Sequence, residues 1–380
     1  MSANDNQVQV VLAAGGTGGH LFPAEALAGV LLRRGCKVDL ITDRRGQSFS
    51  ERLPQVTVHM VTSGGLAGKG ALQKAKGALQ LLRGLMQCRA LMRRLNPHVA
   101  VGFGGYASIP PILAAQQCEI RTVLHEQNAV AGRANRFLAK RASKIAVSFE
   151  KVKMLEKVPA SKLALTGNPV RPAIARIGEL PYRAPRGAEE IRLLAFGGSQ
   201  GARVFSEQIP AAITLLSAQV RDRLRIVQQC RAEDLDKAES VYRNVGLKVE
   251  LKPFFDDMPA RLSAAHLVIC RAGASSIAEL TAAGRPGLIV PLPNSIDDHQ
   301  VANARAIEAL GGGWVLLQSN FAPAAIAERL TTIFAQPERL EQVAEIARAL
   351  GNRDAAERLA DVVTGLVPAN HRPEAKREIA

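Results

Sequence analysis

Gly15-Gly16-Thr17-Gly18-Gly19-His20 separates two stretches of very different sequence pattern. Residues 8–14 before it are mostly apolar, several of them β-branched, which predicts a buried strand. Residues 21–35 after it predict a helix with Pro23 in the first turn, cations in the last turn and a glycine at the end. Glycines between a strand and a helix leave backbone N–H groups at the positive end of the helix dipole. This corner therefore predicts an anion-binding site, with tight packing alone as the alternative.

His20 closes this corner, and the sequence leaves two roles open for it. An imidazole beside an anion site can act as a general base, because its pKa lies near neutral pH. Alternatively, the ring only caps the corner. The glycine spacing matches neither the P-loop nor the dinucleotide-binding fingerprint, so the motif alone does not name a nucleotide.

Length and composition limit the possible classes of protein. A chain of 380 residues exceeds one ordinary core and predicts two domains. The net charge of +15 suits nucleic acid, an anionic membrane surface or phosphorylated substrates. Aromatic residues make up only 4% of the chain, which argues against platforms that stack bases. Membrane and phosphate are therefore favoured over nucleic acid.

The cysteines and the apolar stretches indicate the compartment. The five cysteines are scattered and form no C-x-x-C, which favours a reduced cytoplasmic setting and disfavours zinc. Residues 1–7 lack the pattern of a signal peptide. Residues 96–118 contain no charged side chain, but glycine and proline pairs interrupt them. They predict a strand, a glycine corner and a helix rather than a membrane span.

Strands alternate with helices along the first half, which predicts parallel pairing and an α/β layer fold. The predicted strands after the first are 37–42, 55–61, a strand that ends in a glycine corner within 99–108, 122–128 and 144–148. Residues 71–95 predict a long helix with leucines on most faces, six Lys or Arg and no acid, preceded by Lys69. Such a helix can lie on anionic lipid, with an ordinary core helix as the alternative.

One of these strands, 122–128, ends in the four polar residues His125-Glu126-Gln127-Asn128. The carboxyl ends of parallel strands line the ligand crevice of α/β folds, so these side chains are predicted to face a ligand. The alternative is hydrogen bonding within the loop.

The opening pattern recurs in the second half. Residues 167–190 are rich in Gly and Pro and predict an interdomain linker. A strand at 191–196 then leads into Gly197-Gly198-Ser199-Gln200-Gly201-Ala202 and a helix, so two similar α/β domains are predicted. Ser275 and Ser276 open a later helix and can hold phosphate with backbone N–H groups. Glu279 either completes a capping box with Ser276 or binds ribose hydroxyls.

With these motifs in order, the chain resembles the MurG family, the bacterial transferases that add N-acetylglucosamine to the lipid-linked muramyl-peptide precursor of peptidoglycan. The resemblance extends from about residue 8 to about residue 367. It rests on GGTGGH at 15–20, GFGGYAS at 102–108, HEQN at 125–128, GNPVR at 167–171, GGSQGA at 197–202, CRAGASSIAE at 270–279 and DDHQ at 297–300.

The resemblance implies an α/β GT-B fold, with two Rossmann-like parallel-sheet domains facing a central cleft. Residues 8–168 would form the N-terminal acceptor and membrane-binding domain, and residues 169–350 the UDP-sugar-binding domain. A helix at 351–367 would pack back on the N-terminal domain, and residues 368–380 would form a disordered tail.

The family also implies an inverting transfer from UDP-N-acetylglucosamine to the C4 hydroxyl of undecaprenyl-pyrophosphoryl-N-acetylmuramyl-pentapeptide. Either His20 or Glu126 would be the base. By family match, the pyrophosphate lies at Ala274, Ser275 and Ser276 with Ser199, the ribose at Glu279, and the uracil at the Phe255 loop. The remaining implied substrate-binding residues are Thr17, Gly18, Gly19, Asn128, Arg171, Ile277, Ala278 and Gln300.

The chemistry is expected to need neither metal nor cofactor. A helix N-terminus can stabilise the charge on departing UDP. The only D-x-D, at Asp234-Leu235-Asp236, predicts a solvated helix face instead of a metal site.

The family implies a peripheral location on the cytoplasmic face of the inner membrane, with an anionic membrane surface and other cell-wall synthesis proteins as partners and no nucleic acid. Three alternatives stay open. One is another GT-B enzyme, a glycolipid glycosyltransferase or a UDP-N-acetylglucosamine 2-epimerase. The second is a non-catalytic nucleotide-sugar-binding protein, and the third is a nucleic-acid-binding module.

Overall fold

The computed structural model describes residues 7–15, 18–43, 52–62, 71–198, 201–247 and 249–371, without the side chains of residues 71–76 and 78. The chain divides into two compact units. The first unit contains Met1–Val170 and Asp354–Ala380, and the second unit contains Arg171–Arg353. Each unit has its own parallel sheet and its own apolar core, and each is described separately below.

Among the described residues the strands are β1 Gln9–Ala13, β2 Lys37–Thr42, β3 Thr57–Met60, β4 Val99–Gly102, β5 Arg121–Glu126, β6 Lys144–Val147, β7 Leu163–Leu165, β8 Ile191–Phe196, β9 Leu224–Gln229, β10 Val249–Lys252, β11 Leu267–Cys270, β12 Gly287–Ile289 and β13 Trp314–Val315. The α-helices are α1 Gly18–Arg33, α2 Ala71–Leu95, α3 Ile109–Gln117, α4 Arg133–Leu138, α5 Pro172–Ile177, α6 Arg203–Thr214, α7 Ala218–Arg221, α8 Leu235–Asn244, α9 Met258–Ala264, α10 Ala274–Ala282, α11 His299–Ala309, α12 Pro323–Phe334, α13 Pro337–Leu350 and α14 Ala355–Gly365.

The sheet of the first unit has the order β3-β2-β1-β4-β5-β6-β7, and its strands pair in parallel. Successive residues of β1 point to opposite faces, as in any strand. Val10 and Leu12 belong to a core that includes residues of α1 and α14. Val11 and Ala13 belong to a second core that includes residues of α2 and α3. Helices therefore cover both faces, which is the predicted Rossmann-like layering.

Helix α1 begins three residues earlier than predicted, at Gly18, so Pro23 lies inside the helix and not in its first turn. A proline loses one hydrogen bond to the residue four positions earlier and crowds that carbonyl. That residue is Gly19, so the carbonyl of Gly19 does not receive the hydrogen bond that an ordinary residue at position 23 would donate. The predicted glycine stop is confirmed: Gly35 has φ 77°, and Cys36 N–H donates to Leu31 O as in a Schellman motif.

The sheet of the second unit has the order β10-β9-β8-β11-β12-β13, also parallel. Both sheets thus begin with the same 3-2-1-4-5-6 arrangement, which is the Rossmann order. Two short edge strands, β7 and β13, were not predicted. Each has only two or three residues, too few to show an alternating pattern.

The predicted linker at 167–190 is wrong beyond Val170, because the rest of it belongs to the second unit. Pro172 begins α5, where its missing N–H costs nothing. Ile174 and Ile177 on α5 are buried, and Ala184 belongs to the core of the second unit. Of the predicted tail, residues 369–371 form a helical turn, and residues 372–380 lie outside the described residues.

Within the part of the chain that the structure describes, no helix combines the length and the apolar character that crossing a bilayer requires. The apolar residues 96–118 instead form β4, a glycine corner and α3, as predicted.

Candidate functional site

The first glycine corner of the first unit places His20 in the opening turn of α1, with its side chain half-buried. The imidazole lies against the second glycine corner, at Gly104 and Gly105, whose φ values are 85° and 73°. A Cβ at Gly105 would stand 3.3 Å from His20 Cε1, and one at Gly104 would stand 3.5 Å from Nε2. Because Gly104 and Gly105 have no side chains, the imidazole ring of His20 can lie directly against their backbone. Gly18 is half-buried and Gly19 is exposed beside it, while Thr17 lies outside the described residues.

Glu126 ends β5 and is 1% exposed. Its Oε1 accepts hydrogen bonds from Asn128 N–H at 3.0 Å and from Asn128 Nδ2 at 3.3 Å. Its Oε2 accepts from Gly132 N–H and from Asn135 Nδ2, both at 2.8 Å. Burial raises the pKa of the Glu126 carboxyl above its usual range, although these four hydrogen bonds act in the opposite direction. Four donors saturate this carboxylate, which fixes the loop after β5 and the start of α4.

His125 and Gln127 are also buried, and they face the interior of the first unit. His125 Nε2 lies 3.1 Å from Gly167 O, and its Nδ1 lies 3.1 Å from Gln127 Nε2, which also donates to Phe103 O. Burial lowers the pKa of His125 to about 4, so the ring is neutral at pH 7. Internal partners therefore occupy the side chains of His125, Glu126 and Gln127, which agrees with the alternative of hydrogen bonding within the protein, and a catalytic contact of Glu126 stays a prediction. Asn128 is half-buried.

In the second unit, α10 begins at Ala274 directly after β11. Gly273 is its N-cap, and no side chain caps the helix. The N–H groups of Ala274, Ser275 and Ser276 therefore have no acceptor within the helix. The buried Oγ of Ser275 has no hydrogen-bond partner among the described residues. This end of α10 offers N–H groups, a hydroxyl and the positive end of the helix dipole to an anion.

Glu279 lies farther along α10 and is 8% exposed. Arg171, the residue before α5, holds it with two hydrogen bonds, from Nε to Oε1 at 2.9 Å and from Nη2 to Oε2 at 3.1 Å. Burial raises the pKa of Glu279, and Arg171 partly opposes this shift. The capping-box alternative for Ser276 is wrong, because the N-cap is Gly273 and Glu279 pairs with an arginine. Ile277 is buried and Ala278 half-buried between these groups.

The loop between β10 and α9 carries Phe255, which is buried. The Arg261 guanidinium lies 5.3 Å from the centre of its ring, within the range of a cation–π contact. Arg261 is itself held by Glu250 and Asp257. The side chain of Phe255 is thus occupied, which leaves the backbone of this loop to meet a ligand.

Gln300 lies in the first turn of α11 and is half-buried. Its Oε1 accepts a hydrogen bond from Leu292 N–H at 3.0 Å, so the side chain orders the preceding loop. Asn294, Asp297 and Asp298 in that loop all have φ between 51° and 54°. Non-glycine residues in this conformation store strain, and they concentrate at ligand-binding sites.

The glycine corner of the second unit follows β8. Gly198 has φ 87°, and a Cβ at Gly197 would stand 2.4 Å from Ala202 N, so only glycine fits. Gln229 at the end of β9 hydrogen-bonds to this corner. The sequence analysis did not single out Gln229, although a polar residue at the carboxyl end of a parallel strand was the available signal. Ser199 and Gln200 lie outside the described residues.

No group of three or more His, Cys, Asp or Glu within the described ranges is arranged to hold a metal ion. Of the D-x-D pair, Asp234 is the N-cap of α8 and Asp236 lies in its first turn. A helix dipole favours carboxylates at these positions without any metal.

The outer face of α2 carries apolar and basic side chains together. Leu79, Leu82 and Met86 are 65%, 53% and 58% exposed. The exposed basic side chains of α2 are Arg83, Arg89, Arg93 and Arg94. We call these seven residues the α2 patch. The side chains of Lys74 and Lys76, and all of Lys69, lie outside the description.

The positive charge of the chain is concentrated in the first unit. Residues 1–170 and 354–380 together carry 27 Lys and Arg against 14 Asp and Glu, whereas residues 171–353 carry 22 against 20. The α2 patch therefore belongs to a strongly basic unit, and the unit with the α10 anion site is nearly neutral.

Comparisons with known proteins agree with the division of the chain into two units. The N-terminal domain of glycosyltransferase family 28 matches residues 10–147, and the C-terminal domain of the same family matches residues 192–359. UDP-N-acetylglucosamine--N-acetylmuramyl-(pentapeptide) pyrophosphoryl-undecaprenol N-acetylglucosamine transferase from Rhodospirillum rubrum is 49% identical over 96% of this chain and 93% of its own length. The enzyme of the same name from Rhodospirillum centenum is 51% identical over 94% of each chain.

Solved structures show the same similarity. The MurG crystal structure from Acinetobacter baumannii has a TM-score of 0.76 and 28% identity, and the match covers 94% of this chain and 99% of that one. A UDP-GlcNAc 2-epimerase from Neisseria meningitidis has a TM-score of 0.68 at 14% identity, over 94% of this chain and all of that one. At that identity the epimerase shares only the fold. These matches confirm the predicted GT-B fold.

Proposed function

The chain belongs to the MurG family of glycosyltransferases, and from that premise we propose the reaction, the substrates and the roles of its residues. It transfers N-acetylglucosamine from UDP-N-acetylglucosamine to undecaprenyl-pyrophosphoryl-N-acetylmuramyl-pentapeptide in peptidoglycan synthesis. The observation that carries this proposal is the identity of about half of all positions with transferases of that name over nearly the whole chain.

The second unit supplies the donor site in this proposal. The pyrophosphate lies at the start of α10, where the N–H groups of Ala274, Ser275 and Ser276 and the Ser275 hydroxyl meet it. The ribose hydroxyls bind the Glu279 carboxylate, which Arg171 keeps in one orientation. Backbone groups beside Phe255 meet the uracil, and Gln300 meets the sugar. Ser199 completes the pyrophosphate contacts.

The first unit supplies the acceptor site and the base. The acceptor hydroxyl is a poor nucleophile until a base takes its proton. The Glu126 carboxylate has four donors on its two oxygens, which argues against Glu126 as the acceptor of the proton. Of the two candidates this favours His20, whose half-buried ring lies against Gly104 and Gly105. Asn128 contacts the sugar, and the family resemblance assigns Thr17, Gly18 and Gly19 to the same substrate.

The reaction then proceeds by single displacement. The hydroxyl oxygen attacks the anomeric carbon, its proton passes to His20, and the bond to UDP breaks with inversion. The departing UDP gains negative charge on its pyrophosphate. The N–H groups and the dipole at the N-terminus of α10 stabilise that charge.

Transfer is tested with radiolabelled UDP-N-acetylglucosamine and a short-chain lipid-linked muramyl-pentapeptide. Label in the lipid-linked product, dependent on the acceptor, is the expected result. The control variant Leu215→Gln changes an exposed residue of the second unit and leaves transfer unchanged. If UDP binds but no lipid product forms, the acceptor half of the proposal fails. Label in UDP-N-acetylmannosamine would indicate an epimerase instead.

We further propose that the α2 patch holds the enzyme on the cytoplasmic face of the membrane, near its lipid-linked acceptor. Three exposed apolar side chains can enter the interface while the arginines meet anionic headgroups. Because α2 contains no acid, nothing on the helix opposes this attraction.

Vesicle binding tests the membrane proposal. The triple variant Leu79→Gln, Leu82→Gln, Met86→Gln should bind vesicles of phosphatidylglycerol about tenfold to a hundredfold more weakly, at about 1 kcal/mol or less for each side chain. Leu215→Gln, with 59% exposure on the second unit, should bind like the wild type. Raising the salt from 0.05 to 0.5 M should weaken binding of the wild type, because salt screens exposed charges. Equal binding by the triple variant would refute the role of the patch.

A further inference from the structure

Gln229 is the last residue of β9 and is buried at 5% exposure. Its side-chain amide makes three hydrogen bonds. Oε1 accepts from Gly197 N–H at 3.0 Å, and Nε2 donates to Gly198 O at 2.9 Å and to Pro253 O at 3.1 Å. One acceptor and two donors of a single amide group are thus all used on backbone groups of two separate segments.

The two segments are both parts of the donor site proposed above. Gly197 and Gly198 form the glycine corner that precedes Ser199, a proposed pyrophosphate contact. Pro253 enters the loop that carries Phe255, where the uracil is proposed to bind. These segments follow different strands, β8 and β10, which lie on either side of β9 in the sheet. We call Gly197 and Gly198 the phosphate corner, and the loop from Pro253 to Phe255 the base loop. Gln229, at the end of the middle strand, connects the two.

The chemistry of the connection is specific to glutamine. Two backbone carbonyls require two donors, and the Gly197 N–H requires an acceptor. Glutamate has the same length but no donor, so it would bring a carboxylate against the two carbonyls. Methionine also has a similar length but makes none of the three bonds.

We propose that Gln229 is a positioning residue for donor binding, which holds the phosphate corner and the base loop at a fixed separation so that uracil and pyrophosphate are bound together. This inference rests on the proposed function, because it assumes that the two segments meet the two halves of UDP. UDP needs both segments in register, whereas uridine needs the base loop and Glu279 but not the phosphate corner.

Gln228, the preceding residue, is a matched control. It is completely buried, its Nε2 donates to Phe205 O at 3.0 Å, and its Oε1 accepts from Tyr242 OH at 2.5 Å. Adjacent residues of a strand point to opposite faces, so Gln228 stabilises the core and contacts neither loop. Gln228→Met therefore reports what the loss of buried amide bonds does to the fold alone.

The test measures binding of UDP and of uridine by calorimetry, together with Tm and the kinetics of transfer. Gln229→Met should raise the Kd of UDP and the KM of UDP-N-acetylglucosamine about tenfold, the equivalent of about 1.4 kcal/mol. The Kd of uridine and kcat should each change less than about threefold. Gln229→Glu should weaken UDP binding at least as much, because it keeps the size and loses the donors. Gln228→Met should lower Tm but leave the Kd of UDP within about twofold.

Two outcomes would overturn the inference alone. One is wild-type UDP affinity in both Gln229 variants. The other is an equal loss of UDP and uridine affinity in Gln229→Met and Gln228→Met, which would indicate general damage to the fold. If the wild type itself fails to bind UDP, the proposed donor site is wrong, and the role of Gln229 is wrong with it.

Discussion

Replacing Glu126 with glutamine separates a structural carboxylate from a catalytic one. Each carboxylate oxygen accepts two hydrogen bonds, from Asn128 on one side and from Gly132 and Asn135 on the other. Whichever way the new amide turns, its NH2 group faces two donors, and two of the four bonds are lost. A buried donor without a partner costs about 1–3 kcal/mol, so the free energy of unfolding should fall by about 4 kcal/mol. At about 2–4 °C per kcal/mol, Tm should drop by about 8–16 °C.

The assay compares Glu126→Gln with His20→Ala by thermal unfolding, UDP binding and transfer at 20 °C. His20→Ala should keep Tm within about 3 °C of the wild type and keep UDP binding, while kcat falls by about 10²–10⁴-fold, the usual contribution of a general base. Glu126→Gln should have a lower Tm. Its transfer activity should fall only in proportion to the fraction of the protein that is unfolded.

One pattern of results would refute this assignment. It is a Glu126→Gln variant that has the Tm and UDP affinity of the wild type but a kcat as low as that of His20→Ala. Glu126 would then be the base, and its four hydrogen bonds would be remade during the reaction. A His20→Ala variant with wild-type kcat would likewise exclude His20.

Three other measurements test separate parts of the structure. Burial lowers the pKa of His125 to about 4, from about 6.5 in the unfolded chain, so the unfolded state binds the proton first as the pH falls. Urea titrations should therefore show that the free energy of unfolding falls by about 2–3 kcal/mol between pH 7.5 and pH 4.5. The fall should be smaller in His125→Gln, which has no imidazole to protonate at this position. Arg171→Lys cannot form the two-pronged contact with Glu279, so calorimetry should show a Kd for UDP about tenfold higher, whereas Arg176→Lys, at an exposed position, should bind normally. Transfer should continue within about twofold in EDTA, and complete loss that Mg²⁺ or Mn²⁺ restores would contradict a metal-independent reaction.

Most of the fold follows from the sequence because its central strands are largely buried. In parallel sheets covered on both faces, such strands are mostly apolar runs next to glycines, and Ile191–Phe196, in which only Arg192 is exposed, was predicted to the residue. Boundaries that depend on tertiary packing were not predictable. Helix α1 begins at Gly18 and continues through Pro23, and α5 forms inside a Pro-rich stretch because Ile174 and Ile177 are buried.

The candidate site was less predictable, because polar residues near a glycine corner have the same pattern whether they bind a ligand or the protein itself. In HEQN, internal hydrogen bonds occupy three of the four side chains, and two of the partners, Asn135 and Gly167, lie nine and 42 positions away in the sequence. The pairing of Arg171 with Glu279, 108 positions apart, also has no local signal. The start of α10 was predictable, because a strand, a glycine and two serines are adjacent in the chain.

Helix α14 has a consequence for how the protein is made. Leu359 and Val363 on this helix share a core with Val10 and Leu12 of the first strand, and Arg34, directly after α1, pairs with Glu357 and Asp361. The ribosome synthesises the whole of Arg171–Arg353 between these parts. During synthesis, the apolar surface of the first unit that packs against α14 therefore stays exposed until this last helix leaves the exit tunnel. The unit that begins folding first is the one that finishes last, and it is the one that chaperones have most time to bind.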